Sequence, residues 1–326
     1  MNKSLTRRTV AAALATATLS VLPVPAALAT PSPVITGNAP SLHPEGIAYD
    51  PYRRAFLVGS VRHGTVSVVR RNGSVSTLVR DPALVSAIGI HVDARRGRLL
   101  VANADPGAGT RSSPRTQQRL AGVGIYDLST GHRIRYVDLA AVASDGGRHL
   151  ANDIAVAPDG TAYVTDSFAP IVYRVPVGGA ASVFVRDVRL SSDSYGANGI
   201  VWRSGRLIIG KYDDGTLWSV STRNAATLRQ VPLDRRLPAP DGLTLRPNGA
   251  LTVVNNTLSP SGANVVLTVR LFANGRRGSV VREQRSPEPV PTTAAIGPLG
   301  HPYVLSGRLD LLFAGTPSDT FTVRRF

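Results

Sequence analysis

Short apolar runs fill the chain and are separated by turns rich in glycine, proline and aspartate. In residues 150–156 and 162–167, apolar positions alternate with small or polar ones, and Pro158, Asp159 and Gly160 form the turn between the two runs. Two such runs across a tight turn predict a β-hairpin. Almost no stretch has the spacing of apolar residues that a helix requires. The pattern therefore predicts an all-β protein.

The hairpin recurs along the chain in a fixed form. Six segments align without gaps, the last one least closely: HPEGIAY (43–49), SAIGIHV (86–92), LANDIAV (150–156), GANGIVW (196–202), APDGLTL (239–245) and VPTTAAI (290–296). The first five start mostly 43 to 46 residues apart, with one longer gap after the second segment, and the sixth starts 51 residues after the fifth. A repeat of this length built from short strands predicts a six-bladed β-propeller with four-stranded blades. A solenoid is the competing architecture, but no polar capping repeat is visible, which favours a closed ring.

The two ends of the repeat array predict how this ring closes. The last unit begins near Thr292 and runs to the C-terminus, so residues 31–41 are free to supply an outer strand of the same blade. We therefore expect a single propeller domain over residues 30–326. Residues 104–122 interrupt the second blade and are too polar for a core, which predicts a long surface loop between two of its strands.

Residues 1–29 have the three parts of a secretory signal peptide. Lys3, Arg7 and Arg8 precede an alanine-rich apolar stretch, and we expect cleavage after Ala29. The apolar stretch is shorter than the ~20 residues that a membrane span requires. The adjacent arginines also fit a twin-arginine signal, so two export routes stay open. We expect a secreted protein, either extracellular or associated with the cell envelope.

Composition excludes several classes of function. The chain has no cysteine, which excludes disulfides, thiolate metal sites and a cysteine nucleophile. Its formal net charge is +16, but the arginines are scattered and form no stripe with aromatic residues, so we expect no specific nucleic-acid binding. Weak association with acidic polymers of the cell envelope is compatible with such a surface. No Gly-x-Ser-x-Gly motif is present, so nothing in the sequence indicates a serine nucleophile.

Polar residues recur at one position of the repeat, directly before its glycine or aspartate. This column consists of Glu45, Ile88, Asn152, Asn198, Asp241 and Thr292. The first strand of each propeller blade lines the central channel, so residues at equivalent positions converge on one axis. Glu45 is the only glutamate among the first 282 residues, which argues against a chance placement. The polar members Glu45, Asn152, Asn198 and Asp241 therefore predict a metal site in the channel.

The donor atoms indicate which metal this site would bind. Carboxylate and amide oxygens are ligands of hard divalent cations, so Ca²⁺ is favoured over Mg²⁺, Mn²⁺ and Zn²⁺. For any one position the alternative is a turn cap, since Asn and Asp are common before glycine in turns. Four such residues in one register favour the metal site. Asp153, which replaces the glycine of the third repeat, adds a ligand, orients Asn152 or pins the turn.

Four short motifs carry a resemblance to a known family. They are PEG (44–46), AND (151–153), ANG (197–199) and PDG (240–242). With these motifs the chain resembles the gluconolactonase/regucalcin (senescence marker protein) family of six-bladed propellers, which is related more distantly to the paraoxonases and strictosidine synthases. The resemblance implies that Glu45, Asn198 and Asp241 hold the metal, and that Asn152 reaches the metal or the substrate through water. It also implies hydrolysis of a lactone or a related ester.

The chain departs from this pattern at positions that bear on the substrate. Sugar-lactone members of the family carry an arginine where this chain has Leu150, and Arg148 and His149 are displaced outwards from that position. Paraoxonases use a histidine where this chain has Ile88. His91, three residues further on, stands in a column of small or apolar residues, and we expect it to be packed. A sugar lactone is therefore a less expected substrate.

The resulting hypothesis is a metal-dependent lactonase or esterase that acts on a small molecule. The cation would polarise the carbonyl group, and a carboxylate would activate water, with Asp241 the first choice for this base and Asp153 the second. Asn152, Arg148 and the loop 191–197 are expected to contact the substrate. Two alternatives stay open: a non-catalytic binding or scaffold propeller with a structural cation, and condensation chemistry of the strictosidine-synthase type. In each case we expect a monomer.

Overall fold

The computed structural model describes residues 34–326, so the predicted signal peptide, residues 1–29, lies outside the described residues. Within residues 34–326 the chain forms 24 strands in six antiparallel sheets of four strands each. The first strand of each sheet packs against the first strand of the next, and the sixth sheet packs against the first. The sheets therefore form a closed ring, and the predicted six-bladed β-propeller is confirmed.

The strands are numbered in chain order, and each blade begins with its innermost strand. The described chain starts with β1 (Val34–Asn38). Blade one contains β2 (Pro44–Asp50), β3 (Ala55–Ser60), β4 (Thr65–Val69) and β5 (Val75–Arg80). Blade two contains β6 (Ser86–Asp93), β7 (Arg98–Ala104), β8 (Ala121–Asp127) and β9 (Arg133–Asp138). Blade three contains β10 (Ala151–Val156), β11 (Ala162–Asp166), β12 (Ile171–Val175) and β13 (Ser182–Arg186).

The second half of the ring repeats this arrangement. Blade four contains β14 (Ala197–Arg203), β15 (Arg206–Lys211), β16 (Thr216–Ser221) and β17 (Asn224–Val231). Blade five contains β18 (Pro240–Leu245), β19 (Leu251–Asn255), β20 (Val265–Phe272) and β21 (Arg277–Arg285). Blade six contains β22 (Pro291–Ile296), β23 (Pro302–Ser306), β24 (Thr320–Arg325) and β1.

Helices among the described residues are short and lie in connections. The α-helices are α1 (Leu139–Ala143) and α2 (Leu309–Phe313). The 3₁₀ turns are Ala94–Arg96, Val188–Leu190 and Pro298–Gly300. None of the helices in residues 34–326 has the length and apolar character that a membrane crossing requires.

The outer strand of blade six comes from the other end of the described chain. β1 pairs antiparallel with β24, in a register that runs from Val34 opposite Arg324 to Asn38 opposite Thr320. Blade six therefore combines both ends of the repeat array, as the sequence predicts. The pairing covers an edge of β24 and closes the ring through backbone hydrogen bonds in addition to side-chain packing.

Layers of apolar side chains between neighbouring blades form the core. Leu57 of blade one and Leu99 of blade two share one layer, and Tyr163 of blade three and Leu207 of blade four share another. The three leucines are fully buried. Burial of one leucine side chain stabilises a fold by roughly 1.5–3 kcal/mol. These layers therefore hold neighbouring blades against each other and help to position the inner strands.

A β-bulge interrupts the innermost strand of every blade at the same place. The register shifts lie between the residue pairs 44/46, 87/90, 151/154, 197/200, 240/243 and 291/294. Every member of the polar column falls inside one of these shifts. A bulge bends a strand and changes the direction of its side chain. The repeated bulge is thus the local structure that presents the column residues to the channel.

The glycine that follows a column residue allows the inner strands to pack closely. A Cβ atom on Gly46 would overlap with the carbonyl oxygen of Ile88 on β6, and one on Gly199 would lie 2.5 Å from the carbonyl oxygen of Asp241 on β18. Neither place has room for a side chain. The recurring glycine therefore reflects steric contact between blades, and it brings neighbouring column residues together.

The insertion in blade two is a folded loop between β7 and β8. The carboxylate of Asp105 organises it by accepting hydrogen bonds from the hydroxyls of Ser112 at 2.5 Å and Thr116 at 2.7 Å. Arg62 Nη1 of blade one donates to the carbonyl of Ala108 at 3.1 Å, which ties the loop to the neighbouring blade. The predicted surface loop is therefore held by hydrogen bonds, at the end of the propeller where the inner strands begin.

Candidate metal centre

Four polar side chains meet in the central channel, one each from blades one, three, four and five. They are Glu45, Asn152, Asn198 and Asp241, which we call the ring. Their exposed fractions lie between 4% and 8%. The structure therefore brings together, from widely separated parts of the sequence, the four residues that the repeat singles out as metal ligands.

The ring divides the channel into two spaces. The upper cavity, at the end where the inner strands begin, has a volume of about 370 Å³. The lower channel, between the six inner strands, has a volume of about 350 Å³. All four ring side chains line both spaces. A ligand in the upper cavity would therefore rest directly on the ring.

The other two members of the polar column do not join the ring. Ile88 lines the upper cavity with an apolar side chain. Thr292 is fully buried, and its hydroxyl donates a hydrogen bond of 2.7 Å to the backbone carbonyl of Glu45. Thr292 thus holds the backbone beside Glu45 and leaves the Glu45 carboxylate to the channel.

Asp241 is fixed by two amide side chains. Its Oδ2 accepts a hydrogen bond of 2.5 Å from Asn256 Nδ2, and Asn198 donates a second hydrogen bond to the carboxylate. Asn256 is itself anchored, because it also donates to the carbonyl of Pro291 at 3.1 Å and accepts from the hydroxyl of Tyr212 at 2.7 Å. This chain of contacts sets the orientation of the Asp241 carboxylate before any ligand binds.

Asn152 is oriented in a similar way. Its Nδ2 donates to Ser167 Oγ at 2.9 Å, and Ser167 Oγ donates to the carbonyl of Ala197 on β14 at 2.7 Å. The amide nitrogen is therefore engaged, and Oδ1 is the atom of Asn152 that can ligate a cation.

Sequence reasoning missed the two residues that orient the ring, Asn256 and Ser167. Each follows the second strand of its blade: Ser167 follows β11 and Asn256 follows β19. The second strand runs antiparallel to the first, so its end lies beside the start of the inner strand, where the ring residue is found. A second polar column, read at the end of each second strand, is the signal that would have found both residues.

The carboxyl groups of the channel destabilise one another when they are charged. Burial raises the pKa of Glu45 well above its usual range, and the Asp241 and Asp153 carboxylates raise it further. Burial raises the pKa of Asp241 to about 7, against the hydrogen bonds from Asn256 and Asn198, and the Asp153 charge adds to the increase. Like charges in a site of low dielectric are expected to behave in this way. A bound cation would compensate for this repulsion.

The ring residues fit a hard divalent cation. Glu45 Oε2 is buried and has no hydrogen-bond partner among residues 34–326, although buried polar atoms are almost always paired. All the donors are oxygens, which suits Ca²⁺ or Mg²⁺. In the described part of the chain, no three His, Cys, Asp or Glu side chains are grouped so that they could hold a metal ion. The amide oxygens of Asn152 and Asn198 would therefore have to complete the ligand set.

Asp153 lies at the junction of blades three and four. Its Oδ1 accepts from the N–H of Ile154 at 2.8 Å, and its Oδ2 accepts from the N–H of Ile200 on β14 at 3.1 Å. Burial raises its pKa to about 7, against these two hydrogen bonds. Asp153 lines the lower channel and is absent from the lining of the upper cavity. Of its three predicted roles, the contacts favour pinning the backbone.

Two further predicted positions lie away from the ring. Arg148 is exposed, and its guanidinium stacks over the phenyl group of Phe168, 4.6 Å from the centroid. It lines neither the upper cavity nor the lower channel. His91 lines the lower channel, and burial lowers its pKa, so the imidazole is neutral at neutral pH.

Apolar side chains from the connecting segments form the wall of the upper cavity. The lining residues other than the ring are Val61, Ile88, Pro106, Leu150, Tyr195, Tyr212, Leu258, Leu309 and Phe313. Pro106 belongs to the insertion in blade two, and Leu309 and Phe313 belong to α2. The site thus combines a polar, acidic floor with an apolar wall.

Comparisons with known proteins identify this fold. No protein-family model and no curated protein matches the sequence, but solved structures do. The major allergen Mala s 1 of Malassezia sympodialis aligns over 90% of this chain and 96% of its own, with a TM-score of 0.71 and 17% identity. A gluconolactonase from Xanthomonas campestris aligns over 90% of this chain and 89% of its own, with a TM-score of 0.58 and 16% identity.

The chain has the fold of these proteins. A third neighbour, virginiamycin B lyase from Staphylococcus aureus, aligns over 83% of this chain and 80% of its own, with a TM-score of 0.56 and 12% identity. The neighbours include a gluconolactonase, so the resemblance carried by the four sequence motifs fits the structure. An allergen, a gluconolactonase and a lyase share one architecture, and the function must therefore be argued from the ring and its cavity.

Proposed function

We propose that this chain is a metal-dependent hydrolase that acts on a lactone or a related ester at the ring. The observation that carries the proposal is the unpartnered, buried Glu45 Oε2 beside Asp241, at the floor of a cavity large enough for a small molecule. The gluconolactonase motifs at Glu45, Asn198 and Asp241 support the same reading. Glu45, Asn152, Asn198 and Asp241 would hold the metal, and Ca²⁺ suits their oxygen donors better than Mg²⁺, Mn²⁺ or Zn²⁺.

A bound divalent cation would polarise the substrate carbonyl and stabilise the negative charge that develops on its oxygen. The chain's own residues would do the rest. The carboxylate of Asp241, which is oriented by the hydrogen bond that its Oδ2 accepts from Asn256, would accept the proton of the attacking water. Asn152 would orient the substrate or a water molecule, since Ser167 fixes its side chain. The apolar wall would keep bulk water away from the reacting atoms.

Asp153 and Arg148 take supporting places in this proposal. Asp153 remains the second candidate for the base, but both of its oxygens accept backbone N–H groups, and we assign it the positioning of blades three and four. Arg148 lies at the periphery, stacked on Phe168, where it would contact the part of a substrate that extends out of the cavity.

We also propose that the protein is exported as a monomer and that its arginine-rich surface binds acidic envelope polymers weakly. This proposal is based on the sequence of residues 1–29 and on the formal charge of +16. The N-terminal sequence of the secreted protein tests the proposed export. A mature N-terminus at Thr30 is the expected result, and retention of residues 1–29 would contradict it.

A panel of lactones and esters, assayed with metal-loaded and EDTA-treated protein, tests the proposed activity. Hydrolysis should depend on the added cation. Asp241→Asn keeps an oxygen ligand but removes the proton acceptor, so kcat should fall by about 10²–10⁴-fold while part of the metal affinity survives. Glu283→Gln is the matched control, since Glu283 is a half-exposed partner of Arg235 on the surface. Wild-type protein that hydrolyses nothing under any metal condition would favour the non-catalytic binding propeller.

A further inference from the structure

The upper cavity is neutral above its floor. Among the described residues that line it, the charged side chains are Glu45 and Asp241, and both belong to the ring. The polar side-chain groups of the wall are the hydroxyls of Tyr195 and Tyr212, and the Tyr212 hydroxyl already donates a hydrogen bond to Asn256. A ligand that enters this cavity therefore meets polar partners at the floor and, apart from the Tyr195 hydroxyl, hydrocarbon around it.

The chain's nearest charged and polar candidates are held away from the wall. His149 is buried with both nitrogens engaged: Nδ1 contacts Asp166 Oδ2 at 2.7 Å, and Nε2 contacts Asp145 Oδ1 at 2.9 Å. The backbone N–H of Leu150 donates to Asp166 Oδ1 at 2.8 Å, which fixes the leucine in the wall. Arg148 points to the surface and stacks on Phe168. His149 and the Leu150 backbone N–H therefore offer no free polar group to substrate hydroxyls, and Arg148 lies outside the lining of the cavity.

The mouth of the cavity is apolar as well. Leu258 and Phe313 are 39% and 47% exposed, although both belong to the lining. Tyr195 and Tyr212 line one side edge to face, with ring centroids 6.1 Å apart, and Phe168 packs behind Tyr195 at a tilt of 47° and a centroid distance of 5.0 Å. Exposed apolar groups at a cavity mouth are typical of ligand-binding sites.

We infer that the substrate is a neutral lactone or ester with an apolar chain or ring, and that this apolar part lies against Leu258 and Phe313. The inference rests on the proposed function, because it places the reacting carbonyl on the ring. A polyhydroxylated sugar lactone is disfavoured, since each hydroxyl that loses water without gaining a partner weakens binding about tenfold. Each CH₂ group that enters the apolar cavity strengthens binding by about threefold to fourfold.

A series of γ-lactones with unbranched side chains from methyl to octyl tests the inference. On metal-loaded protein, kcat/KM should rise about threefold per added CH₂ until the cavity is filled. Glucono-δ-lactone should lie at least about a hundredfold below the octyl compound. Phe313→Ala and Leu258→Ala should each flatten the increase. Leu299→Ala is the matched control, because Leu299 is 78% exposed in the turn after β22, at the end of the propeller opposite to the upper cavity.

The matching γ-lactams, which resist hydrolysis, separate this inference from the proposed function. Calorimetric affinities that rise with chain length in wild type, and rise less in Phe313→Ala, support the apolar substrate class even if no lactone is hydrolysed. Hydrolysis that is equally fast for glucono-δ-lactone and the octyl lactone would overturn the inference and leave the proposed function intact. Wild-type affinities for the lactams that do not depend on chain length would also overturn it.

Discussion

The upper cavity and the lower channel lie on opposite sides of the same four side chains, but they are built from different parts of the fold. The lower channel is lined by equivalent positions of the six inner strands, among them the small residues Ala48, Ala155 and Ala295. The upper cavity is lined by connecting segments that differ from blade to blade, such as the insertion and α2. The strands therefore position the ring, and the connections determine what reaches it.

The two spaces also differ in how their polar groups are used. The lower channel contains Asp153 and His91, but Asp153 accepts two backbone N–H groups, and His91 is hydrogen-bonded to the backbone of Ile154. These groups hold neighbouring strands together. The unpartnered Glu45 Oε2 of the ring borders both spaces. Above the ring, the side chains of the wall are apolar apart from the hydroxyls of Tyr195 and Tyr212. We place the substrate above the ring because polar groups of the lower channel hold strands together, whereas the upper cavity offers an apolar wall over the ring.

The largest effect is expected from a substitution that disturbs the packing of inner strands. Gly46→Ala would place a Cβ atom into the carbonyl oxygen of Ile88, and overpacking of this kind should lower the free energy of unfolding by about 3 kcal/mol. Gly178→Ala is the control, since nothing lies within 4 Å of a Cβ at Gly178, and it should change stability by less than about 0.5 kcal/mol. Equal denaturant midpoints for the two variants would contradict the account of the inner strands.

The next largest effect concerns the acidic floor and appears as a dependence of stability on pH. In EDTA, Asp241 and Asp153 keep their protons up to a pKa of about 7 in the folded state, against about 4 in the unfolded state. The folded state then binds more protons, so its stability is complete below pH 4 and decreases as the pH rises towards 7. Between pH 5 and pH 8 we expect a loss of about 2 kcal/mol or more.

Glu45→Gln is the control for this pH profile. The variant lacks the Glu45 charge, so its loss of stability between pH 5 and pH 8 should be smaller than that of the wild type. His149 contributes in the same direction in both proteins, because Asp166 and Asp145 raise its pKa despite burial. Metal-free protein that is more stable at pH 8 than at pH 5 would contradict the acidic floor.

A smaller effect is expected from the residue that orients Asp241. Asn256→Ala removes the donor to Asp241 Oδ2 and the acceptor of the Tyr212 hydroxyl. Loss of such a supporting contact typically weakens metal affinity or activity by about 10–100-fold. Calcium affinity by calorimetry and kcat on the best substrate measure it. Asn264→Ala, whose partner Thr257 lies outside both spaces, should change neither quantity.

The smallest effect on stability is expected in the wall of the upper cavity. Leu258 is 39% exposed and belongs to a connection, so Leu258→Ala should change the free energy of unfolding by less than about 0.5 kcal/mol. Leu243 lines the lower channel and is 4% exposed. Leu243→Ala should lower the free energy of unfolding by about 2 kcal/mol, at the lower end for a buried leucine because its side chain borders the channel. Equal losses in the two variants would show that the two spaces do not differ as described.

The part of the site that the inner strands form could be predicted from the sequence. The repeat places four residues at the same position of their inner strands: Glu45, Asn152, Asn198 and Asp241. Because the inner strands surround one channel, residues at this position lie close together. Closure of blade six by β1 follows from the same counting of strands. Steric contact between the blades explains why a glycine follows most of the ring residues, and the Asp153 contacts with Ile200 explain the exception.

The connection-built part could not be predicted in the same way. Tyr195 belongs to the loop 191–197, which the sequence predicts as a substrate contact, and it lines the upper cavity. Leu258 and Phe313, however, lie in segments of unequal length without a period, so nothing in their spacing indicates that they meet Tyr195 there. The orienting residues Ser167 and Asn256 do share a position, at the end of the second strand, but their types differ. The direction of a side chain at such a strand end depends on hydrogen bonds that only the folded chain forms.

The central claim is that the ring binds a cation, and a calcium titration of Glu45→Gln against wild type tests it most directly. In EDTA-treated wild-type protein, calcium at a hundredfold excess over Kd should stabilise the fold by about 2.7 kcal/mol and raise the melting temperature accordingly. Glu45→Gln should lose most of this increase and melt, without calcium, at the wild-type temperature or slightly above, because a repelling charge is gone. Glu283→Gln should respond like the wild type. If Glu45→Gln melts like the wild type at every calcium concentration, the ring does not bind the cation through Glu45, and the account is wrong.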